Sequence, residues 1–224
     1  MYRLENKELF ADFEKTIAKD LFEKTTYPWE VLPLIHDFIL ETGKDLPADQ
    51  YEEVSEHVWV AKSAKVAPTA FIGAPAIIGP EAEIRHCAFI RGDVIVGAKS
   101  TVGNSTELKN VILFESVQVP HYNYVGDSIL GYKSHMGAGS ITSNVKSDKT
   151  LVKIHLDGEH IPTERKKVGG LLGDFVEVGC GSIINPGTVV GSHTNIYPLS
   201  SVRGYVPSHS IYKNQNEIVE KKEL

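Results

Sequence analysis

An all-β fold of short stacked coils, a parallel β-helix, is what this sequence predicts. Three observations carry the prediction. An aliphatic residue recurs every six positions, a small or compact residue follows four positions later, and glycine often comes directly after the aliphatic one.

The first run is Val60, Val66, Ile72, Ile78, Ile84, Ile90, Val96, Val102 and Leu108. The phase slips by one and resumes at Leu113, Val119 and Val125, then slips again to Leu130 and Met136. After an interruption it returns at Leu172, Val178, Ile184, Val190, Ile196 and Val202. The accompanying small or compact residues include Ala64, Ala70, Ala76, Ala82, Ala88, Ser100 and Thr106, and later Ser182, Thr188, Thr194 and Ser200. A period of six is neither the 3.6 of a helix nor the alternation of an ordinary strand. A strand of about three or four residues followed by a tight corner produces it. The aliphatic residue fills the interior, and the small one fits where the coil narrows. Glycines such as Gly73, Gly79, Gly97 and Gly103 are expected to let the backbone turn. Each coil buries the one beneath it, so stability comes from stacking neighbours. A β-sandwich, the competing all-β fold, has longer strands and less evenly spaced turns.

The flanks are less regular. Residues 1–50 are expected to form a helical segment. One helix over 6–23 would bury Leu9, Phe10, Phe13, Ile17 and Leu21. A second would begin at Pro28, a residue suited to the first helical position, and stop near Gly43. Its apolar residues are Trp29, Val31, Leu32, Ile35, Phe38 and Ile39. The end of the β-helix or a neighbouring subunit would cover these helices. The β-helix is expected over 51–207, with a charged loop inserted at about 143–171. A loop of that length is usually functional or disordered. Residues 208–224 read as a polar tail.

Bulk properties narrow the classes. The chain has 224 residues, 42% of them hydrophobic, and a formal charge of −6. The negative balance argues against a general nucleic-acid surface. No apolar run is long enough to span a membrane. The charged first residues lack a secretory h-region, so a cytoplasmic location is expected. Cys87 and Cys180 form no CxxC pair and no disulfide framework. With no histidine and carboxylate assignable to either, they read as packing residues.

The densest chemistry lies in residues 102–144. Val102-Gly103-Asn104 is followed by Glu107 and Lys109, then by His121, Tyr124, Gly126 and Asp127. Gly137-Ala138-Gly139, Ile141, Thr142 and Asn144 complete the series without a gap. The repeats over about 55–207 resemble those of the hexapeptide-repeat left-handed β-helix superfamily. The motif series is similar to the acetyltransferase half of the bacterial bifunctional enzymes that make UDP-N-acetylglucosamine. Handedness comes from this resemblance, since simple crossover rules would give a right-handed path.

The resemblance implies an acetyl-CoA-dependent acyltransferase acting on an amino-sugar phosphate such as glucosamine-1-phosphate, assembled as a homotrimer. His121 falls on the family's catalytic base, and imidazole is suited to accept a proton near neutral pH. Asn144 falls on a residue that positions the substrate amine, and Tyr124 on one that contacts the sugar. Arg91 and Lys109 fall on residues that hold the sugar phosphate. Ala138, Cys180 and Pro198 fall at coenzyme positions. His135 stands at a substrate position where the family has asparagine. The family's loop lysine is displaced by the long insertion, leaving Lys146, Lys149 and Lys153 as candidates. The first fifty residues carry one glycine, Gly43, and no Gly-rich nucleotide loop, so uridylyltransferase chemistry is not expected of them.

Two other readings stay open at this point. One is a sugar-phosphate or nucleotide-sugar binding subunit that partners a separate nucleotidyltransferase. The other is a metalloenzyme similar to the γ-class carbonic anhydrases, suggested by Arg91-Gly92-Asp93. That site needs three histidines meeting at a subunit boundary. His121 and His135, fourteen apart and near one coil's spacing, have no HxxxxH pair beside them. No metal is therefore expected.

Overall fold

The structure, a computed structural model, describes residues 2–222. Its body is a left-handed parallel β-helix of triangular section. Each coil contributes one short strand to each of three faces. The first face stacks Val58–Ala61, Ala76–Ile78, Val94–Val96 and the second half of Glu107–Leu113 in register. The second face stacks Glu83–Ile84, Thr101–Asn104, Gln118–His121 and His135–Met136. The third stacks Phe71–Ile72, Phe89–Ile90, the first half of Glu107–Leu113, the start of Tyr124–Leu130, and Ile141–Thr142. The register explains the two phase slips. Val58 sits over Ala76 and Ala76 over Val94, but Val94 sits over Val111 and Val111 over Ser128. The middle coils are therefore one residue shorter.

Apart from Val66, which is 41% exposed, and half-buried Ile72, both in the first coil, the expected interior is present. Ile84, Ile90, Val102, Leu108, Val119, Val125, Met136 and Ile184 are all buried. Small polar residues at the narrowing positions are buried too, and several of their hydroxyls bond to carbonyls of the next coil. Ser100 Oγ donates to the Phe114 carbonyl at 2.9 Å, and Thr106 Oγ1 to that of Val119 at 2.9 Å. Hydrogen bonding removes the desolvation penalty that would otherwise forbid these hydroxyls a place in the core.

The glycines work differently from expectation. Gly73, Gly79, Gly97 and Gly103 are not among the left-handed residues. The corners are turned instead by non-glycine residues at positive φ, among them Cys87, Asp93, Ser105, Asn110, Tyr122 and Asp127. What Gly103 permits is close stacking: a Cβ there would sit 1.5 Å from the Pro120 carbonyl oxygen. A left-handed L-residue costs roughly 1–2 kcal/mol. That cost recurs at corner after corner and is offset by coil stacking.

The N-terminal segment departs from the long helix expected over 6–23. It forms Asn6–Leu9, a 3₁₀ turn at Phe13–Lys15, and Lys19–Lys24. Ile17 falls between these and is 40% exposed, whereas Phe10 and Phe22 pack on Phe114. The second helix begins at Pro28 as expected. It passes through a 3₁₀ turn at Leu32–Leu34 around Pro33 before Ile35–Lys44, because proline cannot donate a helical hydrogen bond. Neither the end of the coil stack nor a second subunit is needed to cover these helices. The first face also carries outward aliphatic residues, Ile77, Ile95, Ile112 and Ile129, and all four are buried. Helix Ile35–Lys44 packs across its strands.

The insertion leaves the coil after Thr142 and returns at Val168, whose N–H bonds to the Asn144 carbonyl. It is not simply a loop. Lys153–Leu156 and Glu159–Pro162 pair as an antiparallel hairpin. The polar tail is also ordered at its start. Ser210–Asn214 adds a parallel strand to the second face, then pairs with Glu217–Glu220.

Candidate active site

The third face and its two corners carry the motif residues. Residues 91, 109 and 126 stack in adjacent coils, so Arg91 and Lys109 project from neighbouring turns of one surface. Tyr124 lies beside Glu107 in the same register. Where this face turns toward the first face, Asp93, Asn110 and Asp127 stack as a column of left-handed residues.

Asp127 organises this edge. Its side chain is 2% exposed. Oδ1 accepts from Lys109 Nζ at 3.0 Å and from Asn110 Nδ2 at 3.0 Å. Oδ2 accepts from Asn144 Nδ2 at 2.5 Å. The Asn144 amide also reaches the Tyr124 hydroxyl at 3.3 Å. A buried carboxylate is tolerated only when charge and hydrogen bonds compensate it, and here three donors do so. Burial is the main cause raising the Tyr124 phenol above its ordinary value, so it stays a neutral donor at physiological pH. Arg91 is held differently, through an exposed pair with Glu107 at 2.8 Å.

His121 stands at the opposite corner, where the second face turns into the third. The register places it in one column with Asn104, Ala138, Cys180 and Pro198. Backbone bonds run down this column from Gly139 N–H to the His121 carbonyl and from Gly181 N–H to that of Ala138. Among the described residues, the His121 imidazole makes no hydrogen bond or ion pair. The turn after it is fixed by buried Asn123. Its Oδ1 accepts from His121 N–H at 3.1 Å and its amide donates to the Gly137 and Ser140 carbonyls. The corner is otherwise open: nothing lies within 4 Å of a Cβ built on Gly139, and Leu199 is 85% exposed.

The sequence-derived residues thus divide into two groups. Lys109, Tyr124 and Asn144 are brought together around Asp127, with Arg91 beside them. His121, Ala138, Cys180 and Pro198 share the other corner, and among the described residues no side-chain hydrogen bond or ion pair joins the two groups. His135 joins neither. It lies in register with Gln118, three positions before the His121 column, and its Nδ1 is 2.8 Å from Glu177 Oε2. A coil here takes 17 residues, so the fourteen-residue separation from His121 is not one coil. No group of three or more metal-ligating side chains converges among the described residues. Cys87 and Cys180 are exposed at corners, not packed in the core as expected. Asp127, Asn110 and Asn123 were within reach of the motif reading. Buried polar residues at a coil's turning positions are the signal for them. No helix among the described residues is long and apolar enough to cross a membrane.

The chain is 32% identical over 126 residues to a bifunctional sugar-1-phosphate nucleotidylyltransferase/acetyltransferase of Sulfurisphaera tokodaii, covering 56% of this chain and 31% of that protein. It is 29% identical over 199 residues to the bifunctional protein GlmU of Methanococcus maripaludis, covering 88% and 48%. The chain therefore spans about a third to a half of these relatives' length. Among solved structures, a hexapeptide transferase family protein from Anaplasma phagocytophilum matches with TM-score 0.41 and 16% identity over 73% of this chain and 78% of that one. The N-acyltransferase AntD from Bacillus cereus, a mutant bound to dTDP and coenzyme A, gives TM-score 0.36 and 20% identity over 74% and 81%. The family model for the GMPPB C-terminal domain matches residues 74–217. That span takes in the third face from Phe89–Ile90 onward, both of its corners and the insertion, and the chain belongs to the GMPPB C-terminal domain family.

Proposed function

We propose that this chain is an acyltransferase that moves an acetyl group from acetyl-CoA to the amine of an amino-sugar phosphate, glucosamine-1-phosphate being the first candidate. The observation that carries the reading is the Asp127 cluster. It presents a lysine, an asparagine amide and a neutral phenol together at one edge of the third face, with a histidine at the open corner on its opposite edge. Two relatives whose names include acetyltransferase or GlmU support it.

Acetyl-CoA supplies a thioester whose carbonyl accepts a nucleophile. The open column of Ala138, Cys180 and Pro198, with unfilled space at Gly139 and exposed Leu199, fits a long flexible coenzyme. The chain's residues then have distinct tasks. Lys109 and Arg91 attract the sugar phosphate, and Tyr124 and Asn144 orient the sugar. His121 takes the proton that the amine loses as its nitrogen bonds to the acetyl carbon. As the carbon–sulfur bond breaks, that proton can pass to the departing thiolate. Because His121 and the Asp127 cluster lie at opposite edges of one chain's face, we place the complete site between copies of a homotrimer.

Two substitutions test the reading. His121→Ala should lower turnover by about two to four orders of magnitude, the range for a general base, while leaving sugar-phosphate binding nearly intact. Lys109→Ala should weaken binding of the phosphorylated sugar and do little to the unphosphorylated one. A proton acceptor acts mainly in the transition state, while a phosphate contact acts in the ground state as well. Sugar-phosphate binding that depends on Lys109, without acetyl transfer to any amine, would leave a binding subunit in place of the enzyme.

A further inference from the structure

The hairpin of the insertion carries chemistry of its own, away from the Asp127 cluster. It turns at Asp157-Gly158, both at positive φ, as a two-residue turn between twisted strands requires. Its strands alternate in what they bury. Val152, Ile154, Leu156 and Ile161 are buried, and a Cβ built on Gly187 would lie 2.7 Å from a Val152 methyl and 3.3 Å from an Ile154 methyl. The hairpin is thereby seated on the first face of the last coils, over Thr188–Val190 and Tyr205–Val206. Lys153, His155 and His160 are left on its outer side.

There the two histidines stand directly opposite each other, with ring centroids 4.4 Å apart at 78°. They line a cavity of about 510 Å³ together with Lys146, Thr150, Leu151 and Lys153. Lys146 is engaged, bonded to Thr150 Oγ1 at 2.6 Å and to Asp148 Oδ2 at 3.2 Å. Among the described residues, Lys153, His155, His160 and Arg203 make no ion pair or side-chain hydrogen bond. Burial lowers the His155 pKa, and His160, Arg203, Lys146 and Lys153 lower it further. The other carboxylates near the hairpin are directed elsewhere. Asp157 pairs with Arg3. Glu159 precedes His160 in its strand and so lies on the other side of it. Glu164, with Arg165, lines the separate cleft that holds Lys109 and Asp127. In a chain of formal charge −6, this one pocket gathers cations and two bases that become cations on protonation.

Like charges gathered in this way repel, and an anion among them reverses the sign of the interaction. A tetrahedral oxyanion suits the groups present, because ammonium and imidazolium only donate and its oxygens only accept. A metal ion does not suit them. The two imidazoles meet no third ligand among the described residues, and Lys153 and Arg203 repel a cation.

We propose that the outer side of this hairpin is an anion site, distinct from the Lys109 cluster, which holds a phosphate group against Lys153 and takes up a proton on the His155–His160 pair as it binds. The proton passes from solvent to one imidazole nitrogen, and no covalent bond to the anion forms. One proton is expected, because two imidazolium rings this close would repel each other. The phosphate can be free or carried by the coenzyme. Only the second source rests on the acyltransferase reading.

Titration calorimetry on the full chain tests the site with sulfate, inorganic phosphate and coenzyme A. Sulfate comes first, because it remains a dianion through the range in which histidine titrates. Its affinity should rise about tenfold or more from about pH 8 to about pH 6, as linked uptake of a proton requires. The double variant His155→Asn/His160→Asn, which changes two outward side chains, should flatten that dependence. Lys153→Gln should weaken sulfate about threefold to tenfold at both ends of the range, as expected for one charge-assisted contact. Inorganic phosphate should compete with sulfate. Sulfate also meets Lys109, so the signal is the binding that the double variant loses. A fall in coenzyme A affinity in the double variant assigns the site to the coenzyme's phosphates. Unchanged coenzyme A affinity, with sulfate still sensitive to the histidines, assigns it to free phosphate. A sulfate affinity independent of pH would overturn the proposal, as would a pH dependence that survives the double variant. Zinc binding that the double variant abolishes, without any sulfate binding, would also overturn it. Failure of the acyltransferase reading is a separate result: no acetyl transfer to any amine, with histidine-dependent sulfate binding intact.

Discussion

The two corners that bound the third face are built on the same repeat and finished in different ways. At one, His121, Ala138, Cys180 and Pro198 are stacked by the coil's own backbone bonds, and no added chain covers them. At the other, Asp93, Asn110 and Asp127 lie under helix Ile35–Lys44 and the limb of the insertion. The difference teaches where recognition can be concentrated on a solenoid. A bare corner offers a long open track, suited to an extended molecule. A partly covered corner can bury a single carboxylate such as Asp127, which then holds a lysine and two amides in fixed positions. Shape comes from the repeat, and the enclosed chemistry comes from what is laid over it.

Both corners depend on the coil interior, so the largest effect is expected there. Val102 is 0% exposed and lies between the two coils that carry Ile84 and Val119. Val102→Asp would place an unpaired carboxylate among aliphatic side chains, at a cost of several kcal/mol. Thermal unfolding should show a large fall in melting temperature or no folded protein. An unchanged melting temperature would mean that the interior column has been misidentified, and both corners with it.

The next effect separates the corners. Asp127→Ala strands three donors in a largely buried site. Leaving a buried polar group unsatisfied costs about 1–3 kcal/mol. Cys180→Ala removes an exposed thiol from the bare corner, and such changes usually stay within about 0.5 kcal/mol. Denaturant melts of the two variants should therefore differ clearly. Lys109 and Asn144 would also lose their anchor, so Asp127→Ala should weaken sugar-phosphate binding as Lys109→Ala does. Equal stability of the two variants would remove the distinction between a covered and a bare corner.

This contrast also explains what could be read from the sequence. The bare corner was legible through the family resemblance, which named His121, Ala138, Cys180 and Pro198; that they stack in one column emerges only from the register, 17 residues from His121 to Ala138 and 42 from Ala138 to Cys180 across the insertion. The covered corner was only half legible. The motif marked Asp127 along with Lys109, Tyr124 and Asn144, but its part as their hub emerges only when residues 17 apart are stacked. Arg165 is 38 residues from Asp127 in sequence, and no local pattern relates them. The seat of the helical cover is hard to read for a related reason. Ile77, Ile95, Ile112 and Ile129 stand beside the interior residues Ile78, Val96, Leu113 and Leu130. Two adjacent aliphatics mean that both sides of that strand are buried. That signal marked the first face as the seat of the helices. The long helix expected over 6–23 failed because spacing alone does not register where tertiary contacts favour short turns, as with Phe10 and Phe22 on Phe114.

The smallest effect concerns the third corner, which the N-terminal segment covers, and it is read through pH. Asp174 is 3% exposed. Oδ2 accepts from Ala11 N–H at 2.8 Å and Oδ1 from Tyr132 N–H at 2.8 Å, while its own N–H bonds to the Leu9 carbonyl. It thus ties the segment to the coils. Burial raises its carboxyl above the usual range, and the two backbone donors oppose that shift only in part. A raised pKa means that the folded chain holds this proton more tightly than the unfolded one. Stability linked to Asp174 therefore falls as pH rises through the folded value, and is regained as pH drops toward the unfolded value of about 4. Asp174→Asn keeps one acceptor and loses the other, at about 1 kcal/mol, and it no longer titrates. The stability of the parent relative to this variant should grow as the solution is taken from neutral pH toward about pH 4. Parallel melting curves for the two proteins across that range would show that Asp174 is not charged at the cost of folding. A covered corner would then differ from the bare one in contacts but not in its electrostatics.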